Sequence, residues 1–252
     1  MNIDSDINIL GGLPDWGLIG VFLDEGTHKL QSKGGIHSFT AIKTDKSVKR
    51  FEKAILSTFL KFKSPELKAL FTAIYNNKGL TTDTLLFLFW NASANNELLH
   101  YINEKVYFNA FYSGRVSIRN DEVTACIKEL KQTEADLKKW SESTITTTAS
   151  KYLTLMKKFG LMQGRDHKTI IHPFLSDEMF VLYLYWLVAV TEGPNLLQSD
   201  WLRYGFNEQQ VFLDRVMQKK YAKYFHVVFT GNRLSIEPIV SYESLYDKIN
   251  QP

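Results

Sequence analysis

Apolar side chains from Lys46 to Phe62, KSVKRFEKAILSTFLKF, recur at steps of three or four: Val48, Phe51, Ile55, Phe59 and Phe62, with lysines opposite. That period lays one apolar stripe along a helix. A second helix opens at Ser64-Pro65-Glu66, with Ser as N-cap and Pro in the first turn, and ends at Gly79. Thr81 to Asp83 cap the block LLFLFWNAS, and ELLHYINEKVYFNAFYS continues as helix to Gly114. Trp90, Tyr101, Tyr107 and Phe111 read as the filling of a helical bundle. Upstream, LIGVFLDEG suggests a short helix after the GGLPDWG turn, and SKGGIHS from Ser32 a loop.

From Val116 the pattern changes. VSIRNDEVTACIKELKQTEADLKKW predicts a helix starting at Asn120 or Asp121, with Val123, Ile127 and Leu130 inward, then a short helix from Thr133 to Trp140. SESTITTTASKYLTLMKKFG follows, its inner face marked by Ile145, Ala149, Leu153, Met156 and Phe159. LMQGRDHKTIIHP then reads as a hairpin whose returning strand stops at Pro173. FVLYLYWLVAV is apolar all round, but it is about half the ~20 residues a membrane span needs, so it predicts a buried core helix. Two helical pieces, SDWLRYGF and NEQQVFLDRVMQKKYAKYF with Asn207 as cap, precede a second hairpin, HVVFTGNRLSIEPIV. The expected fold is mainly α: a helical bundle over 1–114, a winged helix-turn-helix-like part over 115–192, and a helical and β-hairpin extension over 193–252.

Composition changes this picture little. Thirty basic side chains face 27 acidic ones, so attraction to nucleic acid has to come from local clustering. A single cysteine, Cys126, excludes an internal disulfide and a cysteine-built zinc or iron–sulfur centre, and fits a reducing cytoplasm. The acidic opening MNIDSDINIL does not read as a secretory signal.

The threonines of the 141–159 segment pose the chemical question, because Thr is stiff at χ1 and a mediocre helix former. Opposite the apolar stripe, Thr147, Lys151, Thr154 and Lys158 fall on one line, with Thr144, Thr148 and Lys157 beside it. Hydroxyls near a helix start followed by lysines suit contact with DNA bases and phosphates. The hairpin adds Arg165 and Lys168. Five bases between 151 and 168 face one acid, Asp166, a local 5 − 1 = +4. Double-stranded DNA is the expected partner, and these nine side chains the expected contacts. Protein docking and a merely solvated face remain open as alternatives, the former using Trp201 and Tyr204 as anchors. Arg215, Lys219, Lys220, Lys223 and Arg233 either extend the basic surface or form an ordinary wetted face.

Nothing points to catalysis, a metal or a cofactor. His167 and His172 flank a strand at a spacing that turns them to opposite faces, and Cys126 sits among inward-facing positions. GxxxxGK[ST], GxGxxG and HExxH patterns are absent from the sequence.

The run from KSVKRFEKAILSTF through LLFLFWNASANNELLHYINEKV to KKWSESTITTTASKYLTLMKKFGLMQGRDHKTIIHPFLSDE resembles the DUF1819 family, the BrxA-type components of BREX bacteriophage-exclusion systems. The matching positions are Trp140, Ser143, Thr144, Leu155, Gly160, Leu161, Ile171, Pro173, Leu175 and Ser176. The resemblance covers roughly residues 45–190. It implies a small, cytoplasmic, non-enzymatic accessory protein of an anti-phage system, mostly helical, binding DNA and working beside other BREX components. It transfers no catalytic residue. The "inner membrane protein" label sometimes given to the family finds no support in the short apolar run, and the segment after Gly193 extends beyond the usual core.

Overall fold

A computed structural model describes residues 3–23, 40, 42–165 and 167–250. The loop expected at SKGGIHS lies outside the described residues. The chain forms two compact units, one from residues 1–61 and 80–173, the other from 62–79 and 174–252.

The first unit starts with two short helices, α1 (Asp6–Leu10) and α2 (Leu18–Leu23). Helix α3 (Asp45–Ala54) follows, capped by the Thr44 side chain accepting the Ser47 N–H. It does not run on regularly to Phe62 as expected, because Ile55–Phe59 widens into a π turn. Helix α5 (Thr82–Asn95) catches the carbonyls this exposes: the amide of Asn91 donates to Phe59 and Lys61, and that of Asn95 to Thr58 and Lys61. Two asparagines one helical turn apart, in NASAN, thus do a capping task. Helices α6 (Glu97–Ile102) and α7 (Phe108–Tyr112) are joined by another π turn, Asn103–Tyr107, and the stretch ends at left-handed Gly114. Helix α8 (Asn120–Thr133) starts at the expected residue. The helix expected from Thr133 to Trp140 shrinks to one 3-10 turn, Ala135–Leu137, since Leu137 is the sole buried side chain there and cannot anchor more.

Helix α9 (Glu142–Lys158) then packs on α8, and β1 (Met162–Gln163) pairs antiparallel with β2 (Thr169–Ile170) in the register Met162↔Ile170. A bridge from Ser117 to Thr169 adds the stretch before α8 to the outer side of β2. The order is helix, bridging segment, helix, helix, hairpin. Ile145, Ala149, Leu153, Met156 and Phe159 are all buried, as the periodicity predicts. Phe159 closes the core edge-on against Trp16, Phe59 and Phe89, at centroid distances of 5.4, 5.8 and 5.5 Å.

In the second unit, α10 (Asp177–Val190) is the all-apolar helix, buried on every side. Around it stand α4 (Pro65–Lys78), α11 (Gln209–Val216), the hairpin β3 (Phe225–Phe229) with β4 (Leu234–Pro238), and α12 (Tyr242–Asn250), which packs on α4. The expected piece SDWLRYGF forms only a 3-10 turn, Leu202–Tyr204, and α11 starts after Glu208 where Asn207 was the expected cap. The Asn195 side chain ties the segment after α10 to β4, accepting the Leu234 N–H and donating to the Asn232 carbonyl. Asp177, at the first turn of α10, receives Lys220 and the Tyr221 hydroxyl, both at 2.6 Å, and these bonds hold its carboxyl below the ordinary aspartate range. A carboxylate depressed on folding stabilises the fold above its unfolded pKa and ceases to as pH falls through the folded value. Asp177→Asn is therefore expected to lower the melting temperature of this unit by about 1–3 °C at neutral pH. Calorimetry should find that difference vanishing in acid below the usual aspartate range.

Candidate nucleic-acid interface

In the segment with five threonines, four hydroxyls, those of Thr144, Thr146, Thr148 and Thr154, bond within the helix or its cap. Ser141 caps α9 by accepting the Thr144 N–H at 3.1 Å, and Glu142 in the first turn meets Lys128 at 2.5 Å. Three threonines turn their hydroxyls back on the carbonyl one turn earlier: Thr146 to Glu142, Thr148 to Thr144, and Thr154 to Ser150, at 2.8–3.0 Å. That bond is open to Thr and Ser inside a helix and leaves no hydroxyl stranded.

Three of the nine expected contacts are drawn toward the protein. Thr148 is fully buried and accepts the Asn8 side-chain amide at 3.0 Å, so it lies under the face and not on it. Lys158 bends to the end of α1 and donates to the Leu13 carbonyl. Its half-burial, followed by the nearness of Lys151, lowers its pKa. Lys151 borders the same place, with its amino group beside Gly12. The reason is local: α1 presents Gly11 to α9 so closely that an added Cβ would strike the backbone carbonyl of Lys151. The periodicity places Thr147, Lys151, Thr154 and Lys158 on one line, but α1 covers its Lys151 and Lys158 edge. Gly11→Ala is expected to destabilise the first unit by about 1–3 kcal/mol, since α9 or α1 must retreat. Urea unfolding followed by tryptophan fluorescence would measure it.

What remains outward is a narrower face. Thr147, Ser150 and Lys157 are exposed, with Thr144 and Thr154 partly so. Arg165 is exposed on the hairpin, beyond left-handed Gly164, where a Cβ would collide with the His167 carbonyl. Lys168 holds this turn by donating to the carbonyls of Arg165 at 2.6 Å and Gly164 at 3.2 Å. The start of α8 joins them: the Arg119 N–H donates to Glu122 at 3.0 Å, and the Arg119 guanidinium lies 3.0 Å from Asp121. Between α8, α9 and the hairpin lies a recess of about 450 Å³, lined by Arg119, Asn120, Thr154, Arg165 and Lys168 among others. Arg119 and Asn120 stand apart from the Thr/Lys pattern, and periodicity alone does not single them out. They stand at the start of α8, where Asp121 and Glu122 already take first-turn N–H groups and pair with the Arg119 guanidinium.

The remaining candidates fall elsewhere. His172 stacks on Phe111 at 4.4 Å, while His167 lines the recess. Cys126 is buried, and burial pushes its thiol up to about 11, so it is inert at neutral pH. Among the described residues no group of His, Cys, Asp or Glu has the arrangement of a metal site, and no helix is long and apolar enough to cross a membrane. In the second unit Arg215 lies 4.5 Å over the Phe180 ring and donates to the carbonyls of Leu175 and Ser176, so it is a structural cation. Tyr204 is buried in the aromatic cluster with Trp186 and Trp201, which corrects the expectation that it is an exposed anchor.

Residues 42–184 match the family model described as BrxA. No curated protein and no solved structure matches the chain.

Proposed function

We propose, for a chain that belongs to the BrxA family of BREX anti-phage components, that it acts as a cytoplasmic, non-enzymatic accessory protein that binds double-stranded DNA and works beside other BREX components. One observation carries the reading: the outward face of α9 and the hairpin converge on one recess, where Arg165 and Lys168 stand beside the hydroxyls of Ser150 and Thr154, with Lys157 exposed about one turn further along α9. The order of elements in the first unit, with a bridging segment joined to the returning strand, supports a winged helix-turn-helix, in which α9 enters the major groove and the hairpin meets the backbone. Thr144, Thr147 and Thr154 then touch base edges or phosphates, and the cations neutralise phosphates. Lys151 and Lys158 add positive potential from the side.

A duplex titration monitored by fluorescence anisotropy at low salt tests this. Saturable binding of unrelated sequences with similar affinity is expected, because phosphate contacts outnumber base contacts. A chain that leaves duplex DNA free at low salt rejects it. A docking adaptor has one observation in its favour, the exposure of Val228 and Phe229 on β3, and it requires association that salt hardly changes.

A further inference from the structure

The second hairpin closes one of its edges and leaves the other open. On the β4 side the Leu234 N–H goes to the Asn195 side chain, the 3-10 turn Leu196–Gln198 packs against the strand, and Pro238 has no N–H to offer. On the β3 side the ladder is fixed by the bond from the Thr230 N–H to the Arg233 carbonyl and by the register Val228↔Ser235, His226↔Glu237. Bonded and non-bonded pairs alternate in an antiparallel ladder, so Val227 and Phe229 turn their N–H and C=O groups away from β4. Among the described residues no backbone group meets them there. Natural edge strands are guarded by a lysine, another charge, a proline or a bulge. Phe225–Phe229, FHVVF, holds no Lys, Arg, Asp, Glu or Pro, and Val228 and Phe229 are 53% and 39% exposed. Such an edge fits one more strand.

We propose that this strand is β3 of a second copy of the chain, the two running antiparallel about a twofold axis through Val228, so that the hairpins join into one sheet. Val227 of each copy then exchanges both backbone bonds with Phe229 of the other, and every outward group of the two residues is satisfied reciprocally. Val228 meets its own counterpart in the close, non-bonded position, and both exposed side chains are covered. Because β3 carries no formal charge, no like charges face each other within the ladder. The nearest cations, Lys223 and Arg233, stand outside it, and Arg233 is held by the Pro194 carbonyl on the β4 side. A ladder this short buries less than the ~800 Å² per partner of a standard interface, so the dimer is weak, with Kd on the order of 10–100 μM. The inference goes beyond duplex binding, because β3 belongs to the second unit and the DNA face to the first.

Sedimentation equilibrium of the full chain without DNA, from about 5 μM to about 0.5 mM, is the test. The weight-average mass is expected to climb from 29.1 kDa toward twice that value. Val228→Lys and Val228→Glu each set a charge opposite itself on the axis, and each is expected to weaken the dimer at least about tenfold. Val228 is exposed, so neither variant threatens the fold. An equimolar mixture of the two variants sets Lys against Glu and is expected to dimerise within about threefold of the unaltered chain, a rescue that requires position 228 to face itself. A mass that stays at 29.1 kDa at the highest concentration overturns the proposal and leaves the edge to a strand of another protein. A dimer that both variants leave intact, or a mixture that stays monomeric, overturns it as well. Since no DNA is present, failure here leaves the duplex reading standing, and a dimer that binds no duplex rejects that reading alone.

Discussion

Reversing Lys157, Arg165 and Lys168 to Glu together is expected to weaken duplex binding on the order of a thousandfold at about 0.1 M salt, because three charge-assisted bonds to phosphate give way to three repulsions. These side chains stand on two elements that converge, α9 and the hairpin, and Lys157 and Arg165 are exposed. A matched control is built into the molecule: Lys46, Lys49 and Lys53 are exposed on α3, and none of them lines the recess between α8, α9 and the hairpin. Reversing those three changes the net charge equally and should cost only a few-fold, the share that net charge has in attracting DNA. Circular dichroism must show both triple variants folded. Equal losses of affinity in the two variants would mean that general charge, and not this interface, governs binding.

Removing one ring has the largest expected effect on stability. Phe159→Ala should destabilise the first unit by about 3–5 kcal/mol, the usual result of emptying a large buried aromatic site. Phe159 is 1% exposed and meets Trp16, Phe59 and Phe89 edge-on, so the effect spreads from α9 to the π turn after α3 and to α5. The melting temperature should fall by about 10 °C. Because Phe159 follows the last turn of the helix with the proposed DNA face, the variant should also bind duplex less well near its transition, and regain affinity on cooling. A drop of only a degree or two in calorimetry would show that the site collapses around the smaller side chain and that the aromatic cluster is not what fixes α9.

Much of this fold is legible in the sequence because period and cap coincide. Ser64-Pro65 and Asn120 begin helices, Gly79 and Gly114 end them with positive φ, and Gly231 turns the second hairpin. The failures occur where the cause is distant in sequence. The π turn at Ile55–Phe59 depends on Asn91 and Asn95 more than thirty residues on, and a period of 3.6 cannot show it. The chain also returns helix 65–78 to the unit that holds 174–252, an association of which no local pattern speaks. The candidate site follows the same rule. The inner positions of α9 are readable, and so is its polar face, but Thr148 faces α1, a five-residue helix too short to leave a periodic signal, and Lys158 reaches the Leu13 carbonyl just beyond it. Short hydroxyls can therefore serve two ends on one helix: Thr148 closes a buried contact, while Thr147 and Ser150 stay available to a partner.

The measurement that bears most directly on this account is the affinity for one mixed-sequence duplex across a fourfold range of salt. With about four to six cationic contacts, log affinity should fall linearly with log salt at a slope of about −4 to −5, and reversing Lys157, Arg165 and Lys168 should flatten it by about three. A slope near zero, or a steep slope that the triple reversal leaves unchanged, would contradict the assignment of this face to DNA.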